Sequence, residues 1–205
     1  MRRVLIPAAA VVALVIYGMD GVGAQAQPAA GPNTWTIDSG HSTAGFSVKH
    51  LMVSTVRGTL GPIKGTIEYD GKSVETLTVD ASIDVSAINT GNESRDKDLK
   101  GDGFFEVAKF PTATFKSKRV EAAGAGKFTL IGDLTLHGIT KEVALSVEGP
   151  SPAVKAQNGH KIGASATTTL NRRDFGLQYN NMVEAVPVVS DDVQVTIDIE
   201  ASKRG

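Results

Sequence analysis

From Trp35 onward, apolar and polar residues alternate in short runs punctuated by Gly, Asp, Asn and Pro, the pattern of half-buried β-strands. Ala44, Phe46 and Val48 alternate with Gly45, Ser47 and Lys49; Ile63, Gly65, Ile67 and Tyr69 alternate with Lys64, Thr66 and Glu68. The cleanest run sets Leu77, Val79, Ala81, Ile83 and Val85 against Thr78, Asp80, Ser82 and Asp84, so that its outward face is wholly polar. The same reading predicts strands near 54–60, 112–120, 127–136, 141–147, 161–170 and 193–201, the last with Val193, Val195, Ile197 and Ile199 on one face. One segment breaks the pattern: residues 92–100 are highly charged and end at Gly101, which predicts a short helical insertion capped by Asn92 or Ser94. Phe104, Phe105 and Phe110 follow it closely, and Pro111 marks the step into the next strand.

About eight antiparallel strands joined by short turns such as Asp70-Gly71 can close as a barrel or pack as a sandwich, and the pattern alone does not choose. A barrel of that size either fills with side chains or encloses one small ligand. Several inward positions read as small: Ala44, Gly58, Gly65, Ala81, Ala164 and Ala166, beside larger ones such as Phe46 and Ile83. On a barrel's inner face they would leave volume unfilled, which protein interiors normally avoid. In a sandwich they would allow close sheet packing, so both readings stand.

The start of the chain bears on where the protein works. Arg2 and Arg3 precede an apolar run of thirteen residues, 4–16, and the small-residue triplet Ala24-Gln25-Ala26 follows, the order of a secretory signal peptide. A bilayer-spanning helix needs about 20 apolar residues, so stable membrane insertion is not expected after cleavage. Cleavage after Ala26 would leave a flexible arm over 27–33 and a single domain over 34–202. With no cysteine, a disulfide framework, a thiolate metal site and a lipidated N-terminal cysteine are excluded. Without Arg2, Arg3 and Asp20 the chain carries 19 basic and 21 acidic residues with no long run of either sign, which argues against nucleic acid as a partner.

Four stretches in one order carry a resemblance. They are Trp35-Thr36-Ile37-Asp38-Ser39-Gly40-His41-Ser42 with Phe46-Ser47-Val48-Lys49-His50; Arg95-Asp96-Lys97-Asp98-Leu99-Lys100 with 104–111; 132–141; and Asn171-Arg172-Arg173-Asp174-Phe175-Gly176. Together they resemble the YceI-like family of polyisoprenoid-binding periplasmic proteins. Gly103 departs from it, standing where the family usually has an acidic residue before the two phenylalanines, which would loosen that turn. The resemblance implies an all-β, lipocalin-like antiparallel barrel of about eight strands with a short helical insertion, an elongated pocket and a long isoprenoid or quinone-type lipid. It implies no established catalysis and no cofactor, and family members often pair, so a homodimer is open.

The residues expected at such a ligand are Phe46, Val48, His50, Ile83, Arg95, Phe104, Phe105, Phe110, Phe115, Arg173 and Phe175. The aromatic and aliphatic ones would hold the tail, His50 would line the mouth, and Arg95 or Arg173 would meet a polar head, since guanidinium groups bind phosphate well. Each has an ordinary alternative: core packing for a phenylalanine, an ion pair for Arg95 with Asp96 and Asp98 or for Arg173 with Asp174. The four histidines lack the short, fixed spacing of a zinc site, so no metal is expected, and His41 is better placed for a turn hydrogen bond with Asp38 or Ser42. Asp38, His41 and Ser42 are too close in sequence to form a catalytic triad, and no Gly-x-Ser-x-Gly elbow is present, so the protein is not expected to be an enzyme. The alternatives are an enzyme acting on an isoprenoid lipid and a filled-barrel interaction domain.

Overall fold

The computed structural model describes residues 31–124, 126–179 and 181–204. The signal peptide expected over 1–26 and the arm's first residues, 27–30, lie outside the described residues. In chain order the elements are β1 (Thr34–Ile37), β2 (Thr43–His50), β3 (Ser54–Thr59), β4 (Ile63–Glu68), β5 (Thr78–Asp84), α1 (Glu93–Lys100), β6 (Thr112–Gly124), β7 (Lys127–Leu136), β8 (Ile139–Glu148), β9 (Val154–Ala156), β10 (Gly159–Asn171), β11 (Met182–Val183), β12 (Val186–Pro187) and β13 (Asp192–Lys203). Short 3-10 turns occupy Val74–Thr76, Val85–Ala87 and Arg172–Phe175.

All pairings are antiparallel, and the sheet closes on itself. Its order runs β13-β1-β4-β5-β6-β7-β8-β10, and β10 then returns to β13 along a continuous ladder from His160↔Lys203 to Asn171↔Asp192. β1 and β2 share one flank of β13, through Ile37↔Ala201 and Thr43↔Asp198, so they act as one strand broken at 38–42. β3 and β4 pair with β2 and β1 and form a second broken strand. The result is a closed barrel of eight antiparallel strands with one short helix, which decides between the barrel and sandwich readings.

The predicted strands differ from the observed ones mainly at their ends, and 127–136 coincides with β7. Asp70-Gly71 does not close a tight hairpin. Asp70 Oδ1 instead accepts from the backbone N–H groups of Lys72 and Ser73, opening a connection that passes through the 3-10 turn before β5. Asn92, rather than Ser94, caps α1, accepting from Arg95 N at 3.0 Å. The short β9, β11 and β12 carry too few residues to display an alternation.

Large side chains pack one end of the barrel. Trp35, Leu77, Phe128, Val147 and Ile162 are buried in one cluster, and the Trp35 indole N–H donates to Tyr69 O at 3.0 Å. Lys203 lies 4.6 Å over the Trp35 ring. Gly65 belongs to the wall rather than to the ligand space: its φ is +149°, and a Cβ there would lie 2.2 Å from Asp80 O on β5. Gly58 serves a different purpose, because the Phe46 ring lies where its Cβ would be, at 2.7 Å.

Candidate functional site: the barrel cavity

The barrel interior is not filled. A cavity of about 1060 Å³ runs through it, at the upper limit of the roughly 300–1,000 Å³ usual for small-molecule sites. With this volume the interior is not that of a side-chain-filled barrel. The inward faces read from alternation build its walls: Leu77, Val79, Ala81, Ile83 and Val85 from the β5 region, and Val193, Val195, Ile197 and Ile199 from β13, all line it. Of the six small residues, Ala81, Ala164 and Ala166 line the cavity. Ala44 is fully buried in the packed core, and Gly58 and Gly65 have the contacts described above.

At the α1 end the lining changes character. Ser54, Lys97, Asp98, Asp102 and Gly103 line the cavity and are solvent-exposed, so it opens to water there. The segment from α1 to Phe105 covers part of this mouth because its local bonds fold it back: Phe105 N donates to Leu99 O and Glu106 N to Gly101 O. The Phe104 ring stacks on Tyr179 with 4.5 Å between centroids and 23° between planes. Arg95 lines the mouth with its guanidinium tied to Thr90, from Nε to Oγ1 at 2.7 Å and from Nη2 to the carbonyl at 3.0 Å.

Nine of the eleven residues expected at a ligand line this cavity: Phe46, Val48, His50, Ile83, Arg95, Phe104, Phe105, Phe115 and Phe175. The other two do not. Phe110 sets its edge against His137, 4.7 Å between ring centroids at 67°, where it steadies the turn between β7 and β8. Arg173 pairs with Asp191 at 2.7 Å, and its neighbour Arg172 lines the cavity instead. A 3-10 turn repeats every three residues, which puts Arg172 and Phe175 on the same side. Arg172 is buried, donating to Leu177 O, Ser190 O and Asp191 Oδ1 at 2.6, 3.1 and 2.8 Å. Desolvation pulls its pKa below the ordinary arginine value, opposed by the Asp191 charge. Tyr179 lines the cavity as well, outside any strand, on the same alternating face as Phe175 and Leu177.

Away from the cavity, Asp38, His41 and Glu200 bring their ligand atoms within 4.8 Å of one another where β1 breaks from β2. His41 Nδ1 lies 2.9 Å from Asp38 Oδ2, the turn contact expected from the sequence. Lys161 pairs with Glu200 and reaches Asp38 at 3.6 Å, so an ammonium already balances these carboxylates.

The family model for the YceI-like domain matches residues 35–201. The chain belongs to the YceI-like family. A UPF0312 protein of Staphylococcus aureus is 35% identical over 170 residues, 82% of this chain and 96% of that one. Among solved structures, the YceI protein of Campylobacter jejuni is similar at 31% identity and a TM-score of 0.66, over 77% of this chain and 90% of that one. The fold is also shared with Burkholderia cenocepacia BcnA, at 22% identity and TM-score 0.69, over 81% of this chain and 99% of that one. A polyisoprenoid binding domain from Saccharophagus degradans shares it too, at 19% identity and TM-score 0.61, over 82% and 97%. The four stretches that resembled the YceI-like family all fall inside the matched residues.

Proposed function

We propose that this YceI-like protein is a periplasmic carrier that sequesters a long-chain isoprenoid or quinone-type lipid in its barrel, making and breaking no bond. The carrying observation is the cavity of about 1060 Å³, walled mainly by aliphatic and aromatic side chains, with its charged lining residues gathered at the mouth. Each methylene taken from water into such a space contributes about 0.8 kcal/mol, offset in part by the cost of ordering the chain. The tail lies among Phe46, Val48, Ile83, Phe105, Phe115 and Phe175, and the polar end sits by His50, Phe104 and Arg95. Export rests on the N-terminal charge and apolar order, and the solved polyisoprenoid binding domain of the same fold supports the ligand class.

The test is native mass spectrometry of protein purified from its own periplasm, with organic extraction of whatever is released. A stoichiometric isoprenoid or quinone is expected, and Ala81→Phe or Ala166→Phe should lose it while melting near the wild-type temperature. Protein that is isolated empty and also refuses added long-chain lipids would overturn the reading.

A further inference from the structure

We infer that the mouth of the barrel docks on an anionic phospholipid bilayer through the tips of two adjacent hairpins, so that a lipid passes between membrane and cavity without crossing water. This rests on the carrier reading and adds to it the surface from which the cavity is loaded.

Six large apolar side chains are exposed among the described residues: Met52, Val53, Ile139, Val154, Met182 and Val183. Four of them occupy two hairpins side by side, β2–β3 (Met52, Val53) and β11–β12 (Met182, Val183). The hairpins are joined where they meet: Leu51 N donates to Val188 O at 3.0 Å, Ser190 N to Lys49 O at 3.0 Å, and His50 bridges Val189. His50, Ser54, Val188 and Val189 also line the cavity, so this exposed apolar surface runs into the cavity's own lining. Val53, at 86% exposure, is the most exposed of the six.

The backbone presents these side chains in an unusual way. Leu51 and Met52 have φ of 50° and 58°, and Glu184 and Ala185 have 48° and 67°. The β11–β12 loop has two residues and the β2–β3 loop three, 51–53, closed by Val53 N donating to His50 O, and central turn positions at positive φ favour Asn and Gly. Leucine and methionine at such positions are poorly suited to the turn and well suited to an apolar contact.

Charge selects the occupant. Residues 39–67 contain no Asp or Glu but include Lys49, Arg57 and Lys64, and both Lys49 and Arg57 are exposed on the strands leading to the Met52 tip. Glu184 on the second tip opposes them, so the two hairpins carry Lys49 and Arg57 against one carboxylate, while Asp98 and Asp102 at the mouth lie on the α1 segment and not on the hairpins. Apolar residues that sink into the acyl boundary, with basic residues behind them at head-group depth, match an anionic membrane interface. No helix among the described residues is long and apolar enough to cross a membrane, and the association proposed is through the hairpin tips alone.

The experiment floats the full mature protein with vesicles of phosphatidylethanolamine and phosphatidylglycerol, beside vesicles of phosphatidylcholine alone. Wild type should bind the anionic vesicles, and V53D combined with M182D should weaken that binding by about tenfold or more. Lys49→Glu with Arg57→Glu should abolish the preference for anionic vesicles. A parallel titration with a detergent-solubilised polyprenol separates the two readings. If the V53D/M182D protein takes up solubilised polyprenol as wild type does but loads slowly from vesicles, docking is supported. Uptake of polyprenol with no vesicle binding by wild type, or equal vesicle binding by the variant, overturns docking and leaves the carrier reading intact. A wild-type dimer in sedimentation that V53D/M182D disperses, without vesicle binding, would assign the tips to a second copy and also overturn it. Failure of wild type to take up polyprenol removes the carrier reading and this inference with it.

Discussion

At the end of the barrel where β1 begins, Trp35, Leu77, Phe128, Val147 and Ile162 interlock, and all are at most 7% exposed. At the opposite end α1 has no buried residue, Met52 and Val53 point into solvent, and the Phe104–Tyr179 stack is only half-buried. Both ends are built on the same strands, so the contrast arises from what fills them: tight apolar contact at one, irregular segments tied by side-chain hydrogen bonds at the other. Segments with few buried apolar contacts open locally at a lower free-energy cost than the packed core. The packed end holds the fold, and the irregular end is free to vary its opening without unfolding the barrel.

Substitutions at the two ends should therefore separate stability from binding. Trp35→Ala removes the largest buried ring at the packed end and should cost about 3–5 kcal/mol, lowering the melting temperature by on the order of 10 °C in calorimetry. Phe104→Ala at the mouth should cost only about 1–2 kcal/mol, most of it the lost ring stack, yet raise the dissociation rate of a bound long-chain lipid in stopped-flow exchange. A Phe104→Ala protein that loses as much stability as Trp35→Ala would break the contrast.

Acid should act more weakly and on both ends. Asp70, near the packed end, is held below the ordinary carboxylate range by the N–H groups of Lys72 and Ser73, and Glu106, near the mouth, by the hydrogen bond from Lys109 and then by His137. Asp38 on the wall is lowered by His41, and Glu142 by Arg119 and Lys118. A carboxylate with a folded-state pKa below its unfolded one stabilises the fold at neutral pH, and that contribution is lost as pH falls through and below the ordinary carboxylate range. Thermal melts should thus be flat near neutrality and decline below about pH 4, with Glu106→Gln and Asp70→Asn each flattening the decline slightly.

How much of this was legible depended on periodicity. The faces of β5 and β13 could be read residue by residue, because a strand's alternation survives whatever it packs against. Closure could not be read, since it depends on β10 meeting β13, a pairing that no local pattern encodes. At the mouth the period changes. Arg172 and Arg173 are indistinguishable in the sequence, because a polar pair has no direction until the 3-10 turn sets one, and Phe110 stands close to Phe104 and Phe105 in sequence although the chain reverses at Glu106, whose φ is 44°. Tyr179 did carry a signal, because Phe175, Leu177 and Tyr179 alternate with Gly176, Gln178 and Asn180, and all three apolar residues line the cavity.

The return of β10 to β13 also orders events in time. Thr36 pairs with Ser202 and Ile37 with Ala201, so the first strand and the last are neighbours, and such non-local pairing belongs to topologies that fold in about milliseconds to seconds rather than microseconds. Before the segment Asp192–Lys203 takes its place there is only an open, curved sheet with two bare edges and no enclosed volume. A chain that has not yet set its last strand has nowhere to hold a ligand, so under the proposed function a lipid is acquired only after the barrel has closed.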